Sequence, residues 1–300
     1  MKTIATKHKV LFFLLLTYSF AHAQISGNQV YGNSGSNYSN SSHSNKTIVV
    51  NNNVLSVSIS ILMNSKADGF VMTLGLNEEA ETVKLCNTKI NTRIDGFLTK
   101  IKALGIKKEE SYVDFISQTK VYDFTVDGST AQQFEKGFEI KKNIIITTEN
   151  IANLEKIITM ASEYEIHDII KVEYFNEDTD KIHTNLFEQA LEMADAKKDR
   201  YLKSFRKKIV GTPDANESFE VYFPKNQYKT YQAYESSEIQ THYNNRNTNY
   251  LKKLARKNKS FYYDGVSSAG FDKVINANQT EVGIQYTLTL TVSYKIDTSI

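Results

Sequence analysis

The chain has 300 residues, with 36 Lys and Arg against 34 Asp and Glu, a formal net charge of +2, one cysteine, two prolines and no tryptophan. A charge this balanced gives no global pull toward nucleic acid, and a lone cysteine excludes an intrachain disulfide, so stability must come from a hydrophobic core. The length suffices for one large domain or two small ones.

The chain opens with Lys2, Lys7 and Lys9, an apolar run from Val10 to Phe20, and Ala21-His22-Ala23 before Gln24. This is the layout of a secretory signal peptide with cleavage expected after Ala23, and the apolar run is too short to span a bilayer. Losing those three lysines takes the 36 basic residues to 33 against 34 acidic ones, so the mature chain carries −1. The cysteine that a lipoprotein needs at the cleavage point is absent, since position 24 is glutamine. Residues 24–45 are Ser, Asn and Gly with few apolar side chains and are expected to form a flexible leader, because they cannot bury enough surface to offset their ordering entropy.

Strand patterns follow. Thr47 to Val50 and Leu55 to Met63 flank Asn51-Asn52-Asn53, and Leu55, Val57, Ile59 and Ile61 alternate with Ser56, Ser58 and Ser60. After a turn at residues 64–67, Phe70, Met72, Leu74 and Leu76 alternate in the same way. Both runs have the period of half-buried strands, and the pair is expected to form a hairpin leading into a helix.

That helix is expected over residues 77–105. Ala80, Val83, Ile90, Ile94, Phe97, Ile101 and Leu104 recur at steps of three and four, with Asn87 in the one polar place of the stripe. Asn77 is the expected N-cap, with Glu78 and Glu79 in the first turn and Gly105 as the left-handed C-cap. A polar residue in such a stripe sets register at helix–helix interfaces, which makes Asn87 a candidate oligomer contact. Cys86 lies two or three residues off the stripe, far in sequence from any histidine, and is expected to pack rather than react.

Further strands are expected over 112–125 and 138–148, around the turn-prone Asp127-Gly128-Ser129, and over 169–175. A second helix starts near Asn150 with Ile151, Leu154, Ile157, Ile158 and Ala161 on one face; a third spans 184–207 with Leu186, Ala190, Met193 and Ala194. Strands precede helices in pairs, which favours an antiparallel α+β layer over a doubly wound parallel sheet. Past Gly211, Pro224 marks an edge strand or loop in a tyrosine-rich stretch, and residues 282–296 form a long terminal strand with Leu288, Leu290, Val292 and Tyr294 on one face. Pairing of that strand with the first sheet would bring the ends of the fold together.

Several elements carry a likeness to a known family. The Asp68-Gly69-Phe70-Val71 strand, the helix ending in Leu104-Gly105-Ile106, the Ile157 to Glu173 helix-then-strand and the Ala190-Leu191 helix, together with the terminal Val282-Gly283 strand, resemble the SIMPL-domain (DUF541) family of exported bacterial envelope proteins. The likeness is good from Leu55 to Lys207 and weaker at the end. Ala67 stands where relatives carry proline, Lys197 and Lys198 interrupt a small-residue ladder, and residues 211–280 have no clear counterpart. The resemblance implies an α/β module without established enzymatic activity, found in proteins linked to stress tolerance and able to form oligomers. It implies no catalytic residues.

Candidate chemistry is sparse. Asn176-Glu177-Asp178-Thr179-Asp180 with His183 offers hard oxygen ligands, but lacks the glycine and the distant glutamate of an EF-hand; turn formation and helix-dipole pairing explain it more simply. His167 and Asp168 are adjacent on a strand and point to opposite faces. No G-x-S-x-G elbow, glycine-rich phosphate loop or paired cysteine is present. Lys252, Lys253, Arg256 and Lys257, followed by Phe261-Tyr262-Tyr263, form a basic segment suited to anionic lipid or lipopolysaccharide, or simply to solvent. An outer-membrane barrel would need more ten-residue alternating strands and fewer long helices.

The expected fold class is therefore α+β, a mostly antiparallel SIMPL-like sheet with helices packed on one face. Residues 1–23 are the expected signal peptide, 24–45 the leader, and 46–300 a single domain with a divergent Tyr- and Lys-rich segment at about 211–280. The expected function is that of a non-enzymatic envelope protein, periplasmic or outer-membrane associated, which self-assembles and has no catalytic residue, cofactor, metal or nucleic-acid partner. The alternatives are a metal- or anionic-lipid-binding periplasmic protein, or an enzyme using the Glu173–His183 region.

Overall fold

The structure is a computed structural model that describes residues 48–232 and 259–297. The expected signal peptide and leader, and the basic residues Lys252, Lys253, Arg256 and Lys257, lie outside the described residues.

The chain opens with β1 (Ile48–Asn51) and β2 (Val54–Ser65), which pair antiparallel. Asn52 and Asn53 join them with φ of 45° and 69°. Asparagine tolerates the left-handed region, and two such residues in succession make the turn whose twist suits a tight hairpin. Next comes β3 (Gly69–Ala80), then α1 (Val83–Ile101), which closes through a 3₁₀ turn onto Gly105 at φ 83°. The expected C-cap is therefore present. β4 (Ser111–Asp127) and β5 (Thr130–Thr148) form a long hairpin turning at Gly128, φ 59°. α2 (Ile151–Ser162), β6 (Asp168–Phe175) and α3 (Thr179–Phe205) follow, then β7 (Asp214–Tyr222). The last elements are β8 (Tyr228–Gln232), β9 (Lys259–Tyr263), β10 (Lys273–Ile275) and β11 (Ile284–Lys295).

Two compact units divide the chain. In the unit of Met1–Tyr38 and Lys229–Tyr262, the described residues belong to β8 and β9, which pair with each other. The unit of Ser39–Tyr228 and Tyr263–Ile300 holds two sheets. One has the order β1-β2-β11-β7, with β10 alongside β2; the other has the order β4-β5-β3-β6. Every pairing in them is antiparallel except the short β10–β2 pair. The fold is α+β with antiparallel sheets.

The expected hairpin of β2 with β3 does not form. β2 pairs β11 along its whole length, from Val54↔Lys295 to Ser65↔Ile284, while β3 lies between β5 and β6 in the other sheet. Each strand's apolar row enters a different core. Leu55, Val57, Ile59 and Ile61 meet Leu186, Ala190 and Ala194 of α3; Met72, Leu74 and Leu76 meet Ile90, Ile94 and Phe97 of α1 and Ile157 and Ala161 of α2. Each fully buried aliphatic side chain contributes about 2 kcal/mol, so separate cores decide the partners over proximity in sequence. The terminal strand pairs with the first sheet, which brings the ends of the fold together.

α1 also starts later than its periodicity implies. Residues 77–80 continue β3 and pair with β5 as far as Ala80↔Phe138, and Thr82 is the cap, its hydroxyl accepting the Leu85 N–H at 3.2 Å. Counted from Val83, the stripe runs through Cys86, Ile90, Ile94, Phe97 and Ile101. Cys86 occupies the place expected for Asn87, which is exposed and accepts only a long bond, 3.5 Å, from the Asn91 amide.

α2 is capped by Asn150 as expected, its Oδ1 accepting the Ala152 N–H at 2.9 Å. α3 begins at Thr179 rather than Thr184, because the Asp178 carboxylate caps it by accepting the Lys181 N–H at 2.8 Å. Lys197 and Lys198, which interrupt the small-residue ladder of α3, have partners: Lys197 pairs with Asp272, and Lys198 pairs with Asp195 and lies 5.5 Å from the centre of the Tyr294 ring. Pro224 sits beyond β7, an edge strand, in a 3₁₀ turn at Pro224–Asn226.

Candidate functional site

The acidic run at the start of α3 is spent on structure. Asn176 donates to the Lys66 carbonyl at 2.8 Å and accepts from the Tyr286 hydroxyl at 3.0 Å; the Glu177 N–H donates to Asp68 at 2.9 Å. Asp178 is the cap and Asp180 stands in the first turn, where the helix dipole favours it. His183 hydrogen-bonds to Glu217 of β7 and stacks edge-on against Phe219 at 4.9 Å. These side chains diverge, and among the described residues no group of three or more His, Cys, Asp or Glu is placed to hold a metal ion. His167 and Asp168 are both exposed.

Cys86 is fully buried and its thiol donates to the Glu78 carbonyl at 2.9 Å. Burial raises the thiol's pKa above its ordinary value, which works against thiolate formation.

One concave feature is a crevice of about 200 Å³ between edge strand β6 and the Pro224 turn. Val172, Tyr174, Phe223 and Pro224 make its apolar wall, and Glu173 and Lys225 stand at its rim. Tyr174 is fixed by an edge-on contact with Phe70 at 5.0 Å, and its hydroxyl is pushed up chiefly by burial, with smaller contributions from Tyr228 and Glu281. The Glu173 carboxylate takes Lys171 Nζ at 2.9 Å and Lys225 Nζ at 3.4 Å. Its hydrogen bond to Lys171, and secondarily Lys225, holds it below the usual carboxylate range. Sequence reading named Glu173 only as the start of an acidic region; Lys225, 52 residues away, gave no signal.

A second crevice, of similar volume, is a clasp closed on itself. Gln285, only 6% exposed, accepts from the Tyr263 hydroxyl at 3.1 Å and the Val266 N–H at 2.6 Å, and donates to Asn64 at 2.8 Å. Asn64 and Asn276 exchange amide-to-carbonyl bonds of 3.2 and 2.9 Å. With its polar groups paired, the cluster ties the segment before β11 to the end of β2.

The third feature is a ribbon. Past Ala80↔Phe138, β5 keeps only β4 as a neighbour among the described residues. On one face of this two-stranded extension Tyr122, Phe124 and Val126 follow each other at alternate positions, 51%, 65% and 65% exposed. Phe134 is exposed on the other face, and a Lys120–Glu135 pair at 2.8 Å braces the base. Register shifts at Phe115/Ser117 and Val121/Tyr122 twist the free edge of β4.

A family model described as SIMPL, a protein of unknown function (DUF541), matches residues 55–289. The matched span runs from β2 into its partner β11 and contains α1, α2 and α3. No curated protein matches the chain.

Proposed function

The chain belongs to the SIMPL (DUF541) family, and from that premise we propose that it is a non-enzymatic module of the bacterial cell envelope, exported and self-assembling, with a structural or binding role. The Lys2–Ala23 segment supports export, because a basic start, a short apolar run and a small-x-small end are what signal peptidase reads. Among the described residues no helix is long and apolar enough to cross a membrane.

The observation that carries self-assembly is the β4–β5 ribbon. A two-stranded ribbon is marginal in water, and this one presents Tyr122, Phe124 and Val126 on one face without a covering element among the described residues. Covering that face with a second copy removes apolar surface and stiffens the ribbon together. A stable interface needs roughly 1,000 Å² in total, more than three side chains supply, so the exposed Phe115 and Ile116 on the same strand belong to it as well. Asn87 no longer argues for assembly, since it lies off the apolar stripe.

Sedimentation of residues 24–300 tests the reading. Association at tens of micromolar is the expected result; a monomer throughout that range would overturn it.

A further inference from the structure

The crevice beside β6 is apolar in its wall, with Glu173 and Lys225 at its rim. Two ammonium groups, Lys225 at the rim and Lys171 just outside the lining, converge on the single Glu173 carboxylate, so this trio carries a net +1 beside Val172, Tyr174, Phe223 and Pro224. We propose that this crevice binds a small amphiphilic carboxylate, an aromatic ring or short alkyl group bearing one carboxylate.

The dimensions set the ligand's size. At about 200 Å³ the crevice is smaller than the usual pocket for drug-sized molecules, so it takes a single ring and its linker. The apolar part lies against Tyr174 and Phe223, aromatic side chains that favour offset or edge-on ring contacts. The carboxylate pairs with Lys225, whose 3.4 Å separation from Glu173 is the longer of the two ion pairs and the easier to re-partner. Both lysine side chains are about half exposed, 51% and 57%, and each ammonium carries three donors, so an incoming carboxylate finds N–H groups without stripping Glu173 of both partners. Glu281, the carboxylate that Tyr174 senses from outside the crevice, is itself engaged by Lys66 at 2.7 Å. A cationic ligand of the same shape meets two lysines, and a neutral one lacks the ion pair.

The test uses the chain without its leader and three matched probes: phenylacetate, phenethylamine and 2-phenylethanol, followed by amide chemical-shift titration. The expected Kd for phenylacetate is on the order of 0.1 mM, the range open to a ligand of about ten heavy atoms, with the amine at least tenfold weaker. Lys225→Glu should weaken phenylacetate at least fivefold. Because a variant can fail by unfolding, the wild-type titration is read by position as well, with the expected shifts centred on Val172, Tyr174 and Lys225. Vesicles of anionic phospholipid should not compete. No binding at 10 mM, equal binding of acid and amine, shifts centred elsewhere, or displacement by vesicles would each overturn the proposal.

Discussion

Ser58 and Thr291 share a hydroxyl hydrogen bond of 2.8 Å although 233 residues separate them. They form the middle rung of a ladder across the two central strands, between Ser56–Ser293 at 2.9 Å and Ser60–Thr289 at 3.1 Å. These rungs lie on the face of the sheet turned away from the Leu55, Val57 and Ile59 row that packs on α3. Cross-strand hydroxyl pairs contribute a few tenths to about 1 kcal/mol each. Ser58→Ala and Thr291→Ala should therefore each cost about 0.5–1 kcal/mol, and the double variant should cost less than their sum. Urea unfolding of the four proteins in the cycle measures the coupling, and strict additivity would show that the rung is idle.

Much of this arrangement was legible from residue spacing, and the failures have physical causes. The alternation of Leu55, Val57, Ile59 and Ile61 with serines showed a two-faced strand, and the same pattern at Leu288, Leu290, Val292 and Tyr294 showed a second one. Alternation says which face is buried but not against what, so the β2–β3 hairpin was a reasonable reading that the two cores overrule. The start of α1 was misread because Asn77, Glu78, Glu79 and Ala80 suit a helix terminus locally, while their ladder with β5, 60 or so residues on, keeps them extended. The stripe itself holds at Ile90, Ile94, Phe97 and Ile101, and only near its start does Cys86, not Asn87, face the core. The crevice at β6 could not be read at all, since it is assembled from two segments that no periodicity connects.

Arg93 is the next residue whose weight can be measured. Its guanidinium, 18% exposed, donates to the carbonyls of Tyr164 at 3.0 Å, Glu165 at 2.5 Å and Asn77 at 2.9 Å, and to Glu78 at 2.8 Å. It thereby ties α1 to the end of β3 and to the turn after α2. Lysine keeps the charge but cannot spread donors in that fork. Arg93→Lys should cost about 2–3 kcal/mol, nearly as much as Arg93→Ala, by thermal or urea unfolding. A loss under about 0.5 kcal/mol for Arg93→Lys would mean that charge alone matters there.

The Cys86 thiol gives a pH-dependent prediction. Burial raises its folded-state pKa above the ordinary 9.0, so the neutral form is favoured in the fold. That contribution is fully present below the ordinary value and is lost as pH rises toward the folded one, when the unfolded chain ionises first. Stability should thus decline above about pH 9 more steeply in the wild type than in Cys86→Ala, measured by urea midpoints between pH 7 and 10.5. Thiol labelling of the native chain at pH 8 should run roughly a hundredfold slower than in urea. Native labelling as fast as in urea would place the thiol at the surface.

The ribbon separates folding from assembly most sharply. Tyr122 and Phe124 are more than half exposed and stand beyond the last β3 partner of β5, so serine at both positions removes little that the isolated fold uses. Substitutions of exposed side chains usually change stability by less than about 0.5 kcal/mol, and the Tyr122→Ser/Phe124→Ser variant should keep its urea midpoint within that margin. Ile144→Ala, in the buried row under α1, should lose about 3 kcal/mol by the cavity it leaves. Sedimentation should invert the order, with the ribbon variant reduced to a monomer at concentrations where Ile144→Ala, still folded, associates like the wild type. If the ribbon variant associates unchanged, the stripe is a solvent-tolerant surface and the assembly contact must be sought elsewhere. If it unfolds instead, the ribbon's aromatic side chains belong to the fold itself and their exposure carries no information about partners.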